Sequence, residues 1–387
     1  MFEQHLKREL KEISAAGLKR RRRVLESPCA RIVAVDGREM LNFASNDYLG
    51  LANHAGIADA LAAGAQRWGA GSGAAHLVSG HLAPHEALEK EIAEFTGFAR
   101  ALTFSTGYLA NLSVTPTLAG RGAAVFADKL NHASLIDAMQ LAKANGADVQ
   151  RYPHNDLAAL ERQLAASPAQ RKLIVSDAVF SMDGDLAPLP ALFALAERFD
   201  AWLIIDDAHG FGVLGAQGRG CLAHFNLPAA PRILLMGTLG KAAGVGGAFV
   251  AGSELAIDYL LNKGRSYIFT TAAPPAIACA LQQSLQVIRD GDALRRQLFA
   301  NIARLRDGLA GLPWTLLASP TAIQPLIVGA NQAALDLAKA LWERGLWVPA
   351  IRPPTVPKDT ARLRISLSAA HTADDIDQLI TALKELA

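Results

Sequence analysis

The chain has 387 residues, of which 51% are hydrophobic and 19% are charged. This length is typical of about two domains, and the apolar fraction is large enough to bury a sizeable core, which excludes global disorder. Thirty-eight basic residues against thirty-six acidic ones leave a net charge of +2, so the composition does not indicate a nucleic-acid partner. The three cysteines lie far apart in sequence and fit neither a disulfide framework nor a thiolate metal site.

The N-terminal segment predicts an amphipathic helix within about the first 20 residues. Its apolar residues recur at helical spacing at Phe2, Leu6, Leu10 and Ile13. Charged residues within 1–10 exclude a secretory signal, and no stretch reaches the roughly 20 apolar residues of a membrane span. We therefore expect a cytoplasmic protein. The basic cluster Lys19–Arg23 that follows is a solvated face, a nucleic-acid patch or an anion clamp.

The region from Gly56 to about Cys279 predicts an α/β domain. Short apolar runs, expected to be strands, occur at Ala101–Ser105, Ala123–Ala127, Leu173–Ser176, Trp202–Ile205, Ile233–Met236 and Ala248–Ala251. Stretches with helical periodicity, such as Leu157–Ala166 and Leu189–Phe199, lie between several of them. This alternation is typical of a mainly parallel sheet with helices on both faces. Ligands bind at the carboxyl ends of the strands of such sheets.

The pattern changes after Pro274-Pro275. The predicted elements are a long helix Ile277–Leu309, a strand Gln324–Val328, a helix Ala333–Arg344, a strand Leu363–Ser368 and a helix from Asp374. These elements indicate a separate α+β domain. We therefore expect an N-terminal helix and arm at residues 1–45, a large α/β domain at 46–285 and a small α+β domain at 286–387.

Three predicted strand ends carry reactive side chains. Ser181 follows the run that ends at Ser176, Asp206 and His209 follow the run that ends at Ile205, and Lys241 follows the run that ends at Met236. A parallel sheet brings these groups to one rim of one pocket. A lysine surrounded by glycines there can lose its proton and act as an amine nucleophile.

An aldehyde-bearing cofactor, pyridoxal phosphate, accounts for this set of residues. Such a cofactor needs a Schiff-base lysine, here Lys241, and an acidic partner for its pyridinium nitrogen, here Asp206. His209 and Ser181 are each suited to donate to the phenolic oxygen of the ring. His132 offers an aromatic face to cover the ring.

The phosphate of this cofactor needs backbone N–H groups at a helix start, together with hydroxyls. The segment Ser105–Tyr108, between a strand and a predicted helix, supplies the N–H groups, and Thr238 supplies a hydroxyl. Other phosphate motifs fail. The glycine-rich segment Gly69–Gly73 follows a predicted helix instead of a strand, and Gly240-Lys241 lacks the Ser or Thr of a P-loop.

A zinc site at His76, His81 and His85 is not expected. Pro84 should interrupt the helix that would align the three imidazoles, and no nearby carboxylate or thiol completes a ligand set. The sequence therefore predicts no metal.

Over nearly its whole length the chain resembles the α-oxoamine synthases, a branch of the aspartate-aminotransferase-like (fold type I) pyridoxal phosphate enzymes. Besides the three strand ends, the motifs that carry the resemblance are Asn42–Gly50, Gly71–Gly73, His76–Gly80 and Thr355–Pro357. The resemblance implies a large domain with a mainly parallel seven-stranded sheet and a smaller C-terminal α+β domain. It also implies a homodimer whose sites are completed across the subunit interface.

The resemblance assigns roles residue by residue. The implied cofactor-binding residues are Gly107, Tyr108, His132, Ser181, Asp206, His209, Thr238, Lys241, Thr270 and Thr271, the last two reaching the phosphate from the neighbouring subunit. The implied catalytic residues are Lys241, His132, Asp206 and His209. The implied substrate-binding residues are Arg20, Asn46, His132, Thr355 and Arg364. Among these, Arg364 would grip the amino-acid carboxylate with its bidentate fork.

Within the family, the segments 206–210 and 351–357 most resemble the member that joins L-alanine to a pimeloyl thioester with loss of carbon dioxide, in biotin biosynthesis. Coenzyme A and acyl carrier protein both remain open as the carrier of the acyl group. The alternatives within the family are glycine C-acetyltransferase, 5-aminolevulinate synthase and serine palmitoyltransferase. Outside it they are a non-catalytic regulatory protein that binds the cofactor and a nucleotide-binding oxidoreductase.

Overall fold

A computed structural model describes residues 1–387. The helices are α1 (Phe2–Ala15), α2 (Ala55–Trp68), α3 (Ala83–Thr96), α4 (Gly107–Leu118), α5 (Ala133–Ala144), α6 (Leu157–Ala166), α7 (Leu189–Arg198), α8 (Cys221–His224), α9 (Glu254–Lys263), α10 (Arg265–Ile268), α11 (Pro275–Asp290), α12 (Asp292–Gly308), α13 (Asn331–Glu343) and α14 (Ala373–Glu385). The strands are β1 (Ile32–Val35), β2 (Arg38–Asn42), β3 (Arg100–Phe104), β4 (Ala123–Asp128), β5 (Asp148–Tyr152), β6 (Arg171–Asp177), β7 (Ala201–Asp206), β8 (Ile233–Thr238), β9 (Ala248–Gly252), β10 (Thr315–Leu316), β11 (Ile323–Gly329), β12 (Leu346–Trp347), β13 (Ala350–Ile351) and β14 (Ala361–Ser366). None of the helices combines the length and the hydropathy that a membrane-spanning segment requires.

The chain folds into two compact units. The large unit contains Leu51–Ser181 and Leu186–Arg295, and the small unit contains Met1–Gly50, Met182–Asp185 and Arg296–Ala387. The predicted domain boundary at 285/286 lies inside α11, which packs on α2 and α3 and therefore stays with the large unit. The predicted N-terminal arm shares the small unit because β2 pairs in parallel with β12.

The large unit is built on a seven-stranded sheet in the order β3-β9-β8-β7-β6-β4-β5. Strand β9 runs antiparallel to both of its neighbours, and all other adjacent pairs are parallel. This architecture confirms the predicted mainly parallel α/β fold. Every predicted apolar run is a strand, and β4 is buried at all six positions. The sequence did not predict β5, because this edge strand is largely polar and only its last residue, Tyr152, is buried.

The helices of the large unit follow the predicted pattern with one difference. Helix α6 spans the predicted residues 157–166, and its N-cap Asp156 accepts a hydrogen bond from the Ala159 N–H. The single helix predicted over 277–309 is instead two helices, α11 and α12, which are separated at Gly291. A Cβ atom at Gly291 would lie 2.8 Å from the Val287 carbonyl oxygen. The break therefore occupies a position where only glycine fits without rearrangement.

The small unit combines an antiparallel sheet, β10-β11-β14-β13, with a three-stranded sheet, β1-β2-β12. The predicted strands and helices of the C-terminal region are present as β11, α13, β14 and α14. His371 joins two segments of this unit. Its Nδ1 accepts a hydrogen bond from the Ser368 N–H, and its Nε2 donates to the Asn42 carbonyl oxygen. Burial lowers the pKa of His371 to about 4.

Helix α1 is present as predicted, but none of its residues is buried. The predicted apolar stripe is exposed in this chain, and Phe2 retains 77% of its accessible surface.

Candidate active site

A cavity of about 180 Å³ lies in the large unit at the carboxyl ends of the parallel strands. It is lined by Gly107, Tyr108, His132, Ser134, Asp177, Ser181, Asp206, Ala208, His209, Met236, Thr238 and Lys241. The polar groups converge because neighbouring parallel strands end at the same edge of the sheet.

Lys241 lies on the loop that connects β8 to β9. The Leu239 N–H donates to the Gly247 carbonyl oxygen, and the Gly244 N–H donates to that of Lys241, which closes the loop. Gly244 has a φ of +70°, and a Cβ atom there would lie 2.5 Å from the Ala52 nitrogen. Only glycine fits this close approach. The loop places the Lys241 Nζ 2.9 Å from the His209 Nε2.

Asp206 ends β7 and is buried, with 4% of its surface exposed. Its Oδ2 accepts a hydrogen bond from the Asn111 Nδ2 at 2.7 Å, and its Oδ1 accepts one from the Ala208 N–H at 3.0 Å. Its register partner on β6 is Asp177, which is also buried. Burial and the negative charge of Asp206 raise the pKa of Asp177 well above its usual range. Two buried carboxyl groups at one sheet edge favour a cationic partner in the cavity.

His132 lies at the N-cap of α5. Its backbone N–H donates to the Asp177 Oδ2 at 2.8 Å, and its Nδ1 lies 2.7 Å from the Ser134 Oγ. Burial is the main reason that the pKa of His132 is lowered. The cavity therefore has a neutral, flat imidazole on its wall.

The start of helix α4 forms another wall of the cavity. Thr106 caps this helix by accepting a hydrogen bond from the Leu109 N–H. The first N–H groups of a helix have no partner within the helix and attract anions. The Tyr108 hydroxyl donates to the Asp137 carboxylate, which raises the pKa of Tyr108. Because the Tyr108 hydroxyl is engaged by Asp137, the backbone N–H is the group of Tyr108 that can bind an anionic ligand. The Thr238 hydroxyl lines the same cavity.

The residues present fit pyridoxal phosphate. Helix N–H groups and Thr238 suit its phosphate, Asp206 suits a protonated ring nitrogen, and Lys241 suits its aldehyde. The flat face of His132 suits stacking on the ring.

Two further groups of predicted residues lie in the small unit. Arg364 is buried, and its Nη1 donates to the Asn46 Oδ1 at 3.0 Å and to the Ser366 Oγ at 2.8 Å. Arg20 and Thr355 line a separate cavity of about 620 Å³, together with the cationic side chains of Lys19 and Arg352.

Comparison with known proteins identifies the family. The model of the aminotransferase class I and II family matches residues 38–383. A protein of Dechloromonas aromatica (strain RCB) named 8-amino-7-oxononanoate synthase is 80% identical over 387 residues, which cover 100% of both chains. The chain belongs to the α-oxoamine synthases within the class I and II aminotransferases.

Solved structures agree with this family. A serine palmitoyltransferase of S. paucimobilis with bound pyridoxal phosphate and myriocin superposes with a TM-score of 0.92 at 28% identity, covering 98% of this chain and 96% of that one. The 8-amino-7-oxononanoate synthase of Francisella tularensis superposes with a TM-score of 0.78 at 30% identity, covering 90% of this chain and 98% of that one. The fold is therefore the fold type I architecture of pyridoxal phosphate enzymes.

The predicted cofactor-binding residues of this α-oxoamine synthase line the cavity of about 180 Å³, except for Thr270 and Thr271. Thr271 lines a different cavity of about 390 Å³ in the same unit. That placement leaves the role expected for these two threonines, binding the phosphate of a neighbouring subunit's cofactor, as a prediction.

Three residues at or beside this site were not predicted as site residues from the sequence. Asp177 could have been found, because it directly follows the predicted run that ends at Ser176, as Asp206 follows the run that ends at Ile205. Ser134 carries the weaker signal of a hydroxyl just after a helix start. Asn111 gives no signal in sequence, since it lies inside α4, and only the tertiary fold brings its amide to Asp206.

No single helix spans the three histidines, as expected, but the inference that they therefore cannot converge is wrong. Pro84 lies in the first turn of α3, where proline is tolerated, and the ligand nitrogens of His76, His81 and His85 lie within 4.8 Å of one another. A carboxylate is also close, with the Glu86 Oε2 3.2 Å from the His81 Nε2. Both ring nitrogens of His85 make hydrogen bonds to the backbone, to the Leu82 N–H and the Ala273 carbonyl oxygen. The cluster is therefore joined by hydrogen bonds.

Proposed function

We propose that this chain catalyses the pyridoxal phosphate-dependent condensation of L-alanine with a pimeloyl thioester. The products are 8-amino-7-oxononanoate, carbon dioxide and the free thiol, and the reaction belongs to biotin biosynthesis. The observation that carries the proposal is the 80% identity, over both full lengths, to a protein of that name. The cavity with Lys241, Asp206 and His132 supports it independently by its chemistry.

The cofactor would be held by groups already in place. Asp206 would accept a hydrogen bond from the ring nitrogen, His132 would cover the ring, and His209 and Ser181 would lie near its phenolic oxygen. The N–H groups of Gly107 and Tyr108, with the Thr238 hydroxyl, would bind the phosphate. When bound, pyridoxal phosphate supplies an aldehyde that captures the substrate amine and a ring that accepts the electron pair released at the alanine Cα.

The protein's own residues then transfer protons and stabilise charge. Lys241 Nζ removes the Cα proton of alanine, and its neighbour His209 orients this amine. The buried Asp206 carboxylate provides a preorganised negative charge, the type of electrostatic effect that is usually the largest in catalysis. The alanine Cα attacks the thioester carbonyl and expels the thiol. The resulting β-keto acid loses its carboxylate as carbon dioxide, and Cα regains a proton.

Residues of the small unit would bind the substrates. Arg364 would bind the alanine carboxylate with its planar fork, beside Asn46. Arg20 and Thr355, which share a cavity with two further cations, would line the acyl site. An acyl carrier protein and coenzyme A are both compatible with such a basic surface. We further propose a cytoplasmic homodimer in which Thr270 or Thr271 reaches the partner's phosphate.

A substrate panel tests the function. Purified protein loaded with pyridoxal phosphate is mixed with alanine, glycine or serine and with acyl thioesters of several lengths, and free thiol and carbon dioxide are measured. Alanine with the pimeloyl thioester should give the highest kcat/KM. Preference for glycine with a short acyl group would identify glycine C-acetyltransferase instead. Cofactor binding without thiol release from any pair would favour a regulatory protein.

The panel is needed because one methyl group distinguishes alanine from glycine. A methyl group in a pocket is worth only about 1–3 kcal/mol. The choice of amino acid therefore rests on similarity to the named relatives, and measured selectivity decides it.

A further inference from the structure

A buried hydrogen-bond chain links the two sides of the cofactor cavity. Asn111 is fully buried in α4, and its Nδ2 donates one hydrogen bond to the Asp206 Oδ2 at 2.7 Å and another to the Ser134 Oγ at 2.9 Å. The Asp206 carboxylate can only accept, so the NH₂ side of the amide must face it. The orientation of Asn111 is thus fixed by the charge of its neighbour.

Ser134 passes this orientation on to His132. The Ser134 Oγ accepts from Asn111, so its own hydrogen is available to the His132 Nδ1, which lies 2.7 Å away. The backbone N–H of Ser134 also points at this Nδ1, at 3.3 Å. A backbone N–H can only donate, so Nδ1 must be the acceptor and carries no proton. The neutral imidazole therefore has its hydrogen on Nε2.

The hydrogen-bond chain includes a buried amide oxygen without a partner, which lowers the stability of the fold. The Asn111 Oδ1 is buried and has no hydrogen-bond partner in the structure. An unsatisfied buried acceptor destabilises a fold. The position nevertheless carries an amide, and its Nδ2 group donates two hydrogen bonds. Both of them point at groups of the cofactor cavity.

We propose that Asn111 and Ser134 are positioning residues that fix His132 as the Nε2–H tautomer and hold the Asp206 carboxylate in its orientation. The inference rests on the proposed function only for what His132 meets in the cavity. There, an Nε2–H is a hydrogen-bond donor, so His132 recognises an acceptor oxygen, such as an amino-acid carboxylate or a thioester carbonyl. An Nδ1–H tautomer would instead present a lone pair and repel those oxygens.

The tautomer can be measured without using activity. The full chain is labelled with ¹⁵N-histidine and studied by long-range ¹H–¹⁵N correlation, with and without pyridoxal phosphate, and the His132→Asn variant identifies the His132 signals. We expect a protonated Nε2 and an unprotonated Nδ1 in the wild type at neutral pH. A wild-type spectrum with the proton on Nδ1, or with both tautomers equally populated, would overturn the proposal even if the enzyme is fully active.

Variants separate the positioning role from a structural one. Ser134→Ala removes the hydroxyl link but keeps the backbone N–H that points at the His132 Nδ1. We therefore expect Nε2–H to remain the major tautomer, with a detectable Nδ1–H population and a fall in kcat of about threefold to tenfold. Ser134→Thr keeps the hydroxyl and should restore the single tautomer. Ser113→Ala is the matched control, since Ser113 is also a buried serine but its hydroxyl has no hydrogen-bond partner. This control should change neither the tautomer nor kcat.

Asn111→Ala provides a second test at the other end of the chain. We expect it to loosen both the His132 tautomer and the orientation of Asp206, and therefore to weaken cofactor binding more than Ser134→Ala does. An unchanged His132 spectrum in folded Ser134→Ala and Asn111→Ala would refute the proposal that Ser134 and Asn111 control the His132 tautomer. Loss of product formation with an intact Nε2–H signal would count against the proposed function alone.

Discussion

Asp206 and Asp177 face each other as register partners at the ends of the parallel strands β7 and β6, and both are buried. Two adjacent carboxyl groups cannot both ionise easily in a buried place. The pKa of Asp177 is raised well above its usual range by burial and by the charge of Asp206. Asp177 therefore favours its neutral form more than an ordinary aspartate does, and its Oδ2 accepts a hydrogen bond from the His132 N–H. The negative charge of Asp206 is available to a cationic ligand.

Replacing that charge should slow the reaction without removing the cofactor. In Asp206→Asn the amide cannot hold a ring nitrogen protonated, so we expect kcat to fall by about 100-fold or more. The visible absorbance of the purified variant should show that pyridoxal phosphate is still bound. Asp258→Asn, on the surface of α9, is the matched control and should leave kcat unchanged. Wild-type kcat in Asp206→Asn would contradict the role given to this carboxylate.

Lys241 is expected to be indispensable for turnover. Lys241→Ala removes both the amine that binds the cofactor and the base for the alanine Cα proton. We expect the visible absorbance of the lysine-bound cofactor to disappear and thiol release to fall to background. Lys263→Ala, at the exposed end of α9, should retain both signals. If Lys241→Ala still turned over at the wild-type rate, another amine would have to be the nucleophile.

Two neighbouring arginines should respond differently to the same change. Arg364→Lys removes the planar fork proposed for the alanine carboxylate, so the KM for alanine should rise by about tenfold or more, while the folded structure persists. Arg362 instead donates to the Asp183 carboxylate at 2.8 Å and to the Met182 carbonyl oxygen.

Arg362→Lys should therefore lower the melting temperature and leave the KM for alanine near that of the wild type. Steady-state kinetics and thermal unfolding of both variants check this contrast. Equal effects on KM in the two variants would argue against a specific carboxylate site at Arg364.

The buried His371 predicts a loss of stability in mild acid. The folded protein holds its pKa at about 4, against 6.5 for the free side chain, so between these values the unfolded chain binds a proton that the folded chain does not. The unfolding free energy should thus be unaffected by this group above about pH 6.5 and should fall as the pH drops toward 4, by about 3 kcal/mol in all.

Urea unfolding at a series of pH values measures this slope. His371→Gln does not titrate, so its stability should depend less steeply on pH across the same window, although the variant is less stable at neutral pH. His54→Gln, at an exposed histidine, should keep the wild-type slope. A slope in His371→Gln as steep as in the wild type would exclude this origin.

The sequence predicts the fold wherever burial leaves a periodic pattern. The buried strands are visible as apolar runs, and α6 begins where Asp156 precedes a helical pattern. The edge strand β5, in which only Tyr152 is buried, leaves no such pattern, and the break at Gly291 depends on a local close approach that periodicity does not encode. Short pairings such as β2 with β12 join segments far apart in sequence, so local patterns cannot reveal them.

The residues of the candidate site can likewise be divided into those that the sequence predicts and those that it does not. Lys241, Asp206 and His209 were predictable because each lies at or after the carboxyl end of a strand of the sheet, where the fold itself brings them together. Asn111 and the orientation of His132 were not, because they depend on hydrogen bonds between different helices and strands. The convergence of the three histidines was not predicted, because His76 lies in a short helical turn at 76–80 and His85 lies in α3, so no single helix is needed to bring them together.

The hairpin between β8 and β9 has a consequence for engineering this enzyme. Because β9 runs antiparallel to β8, the chain leaves and re-enters the sheet at the same edge, and the pair Thr238 and Ala248 fixes the length of the segment between them. Loops elsewhere on a surface absorb extra residues readily, but an insertion within 239–247 would shift the Lys241 amine away from the His209 Nε2. Peptide tags and recombination crossovers belong at the opposite edge of the sheet, at the exposed turn before β4, around Arg121.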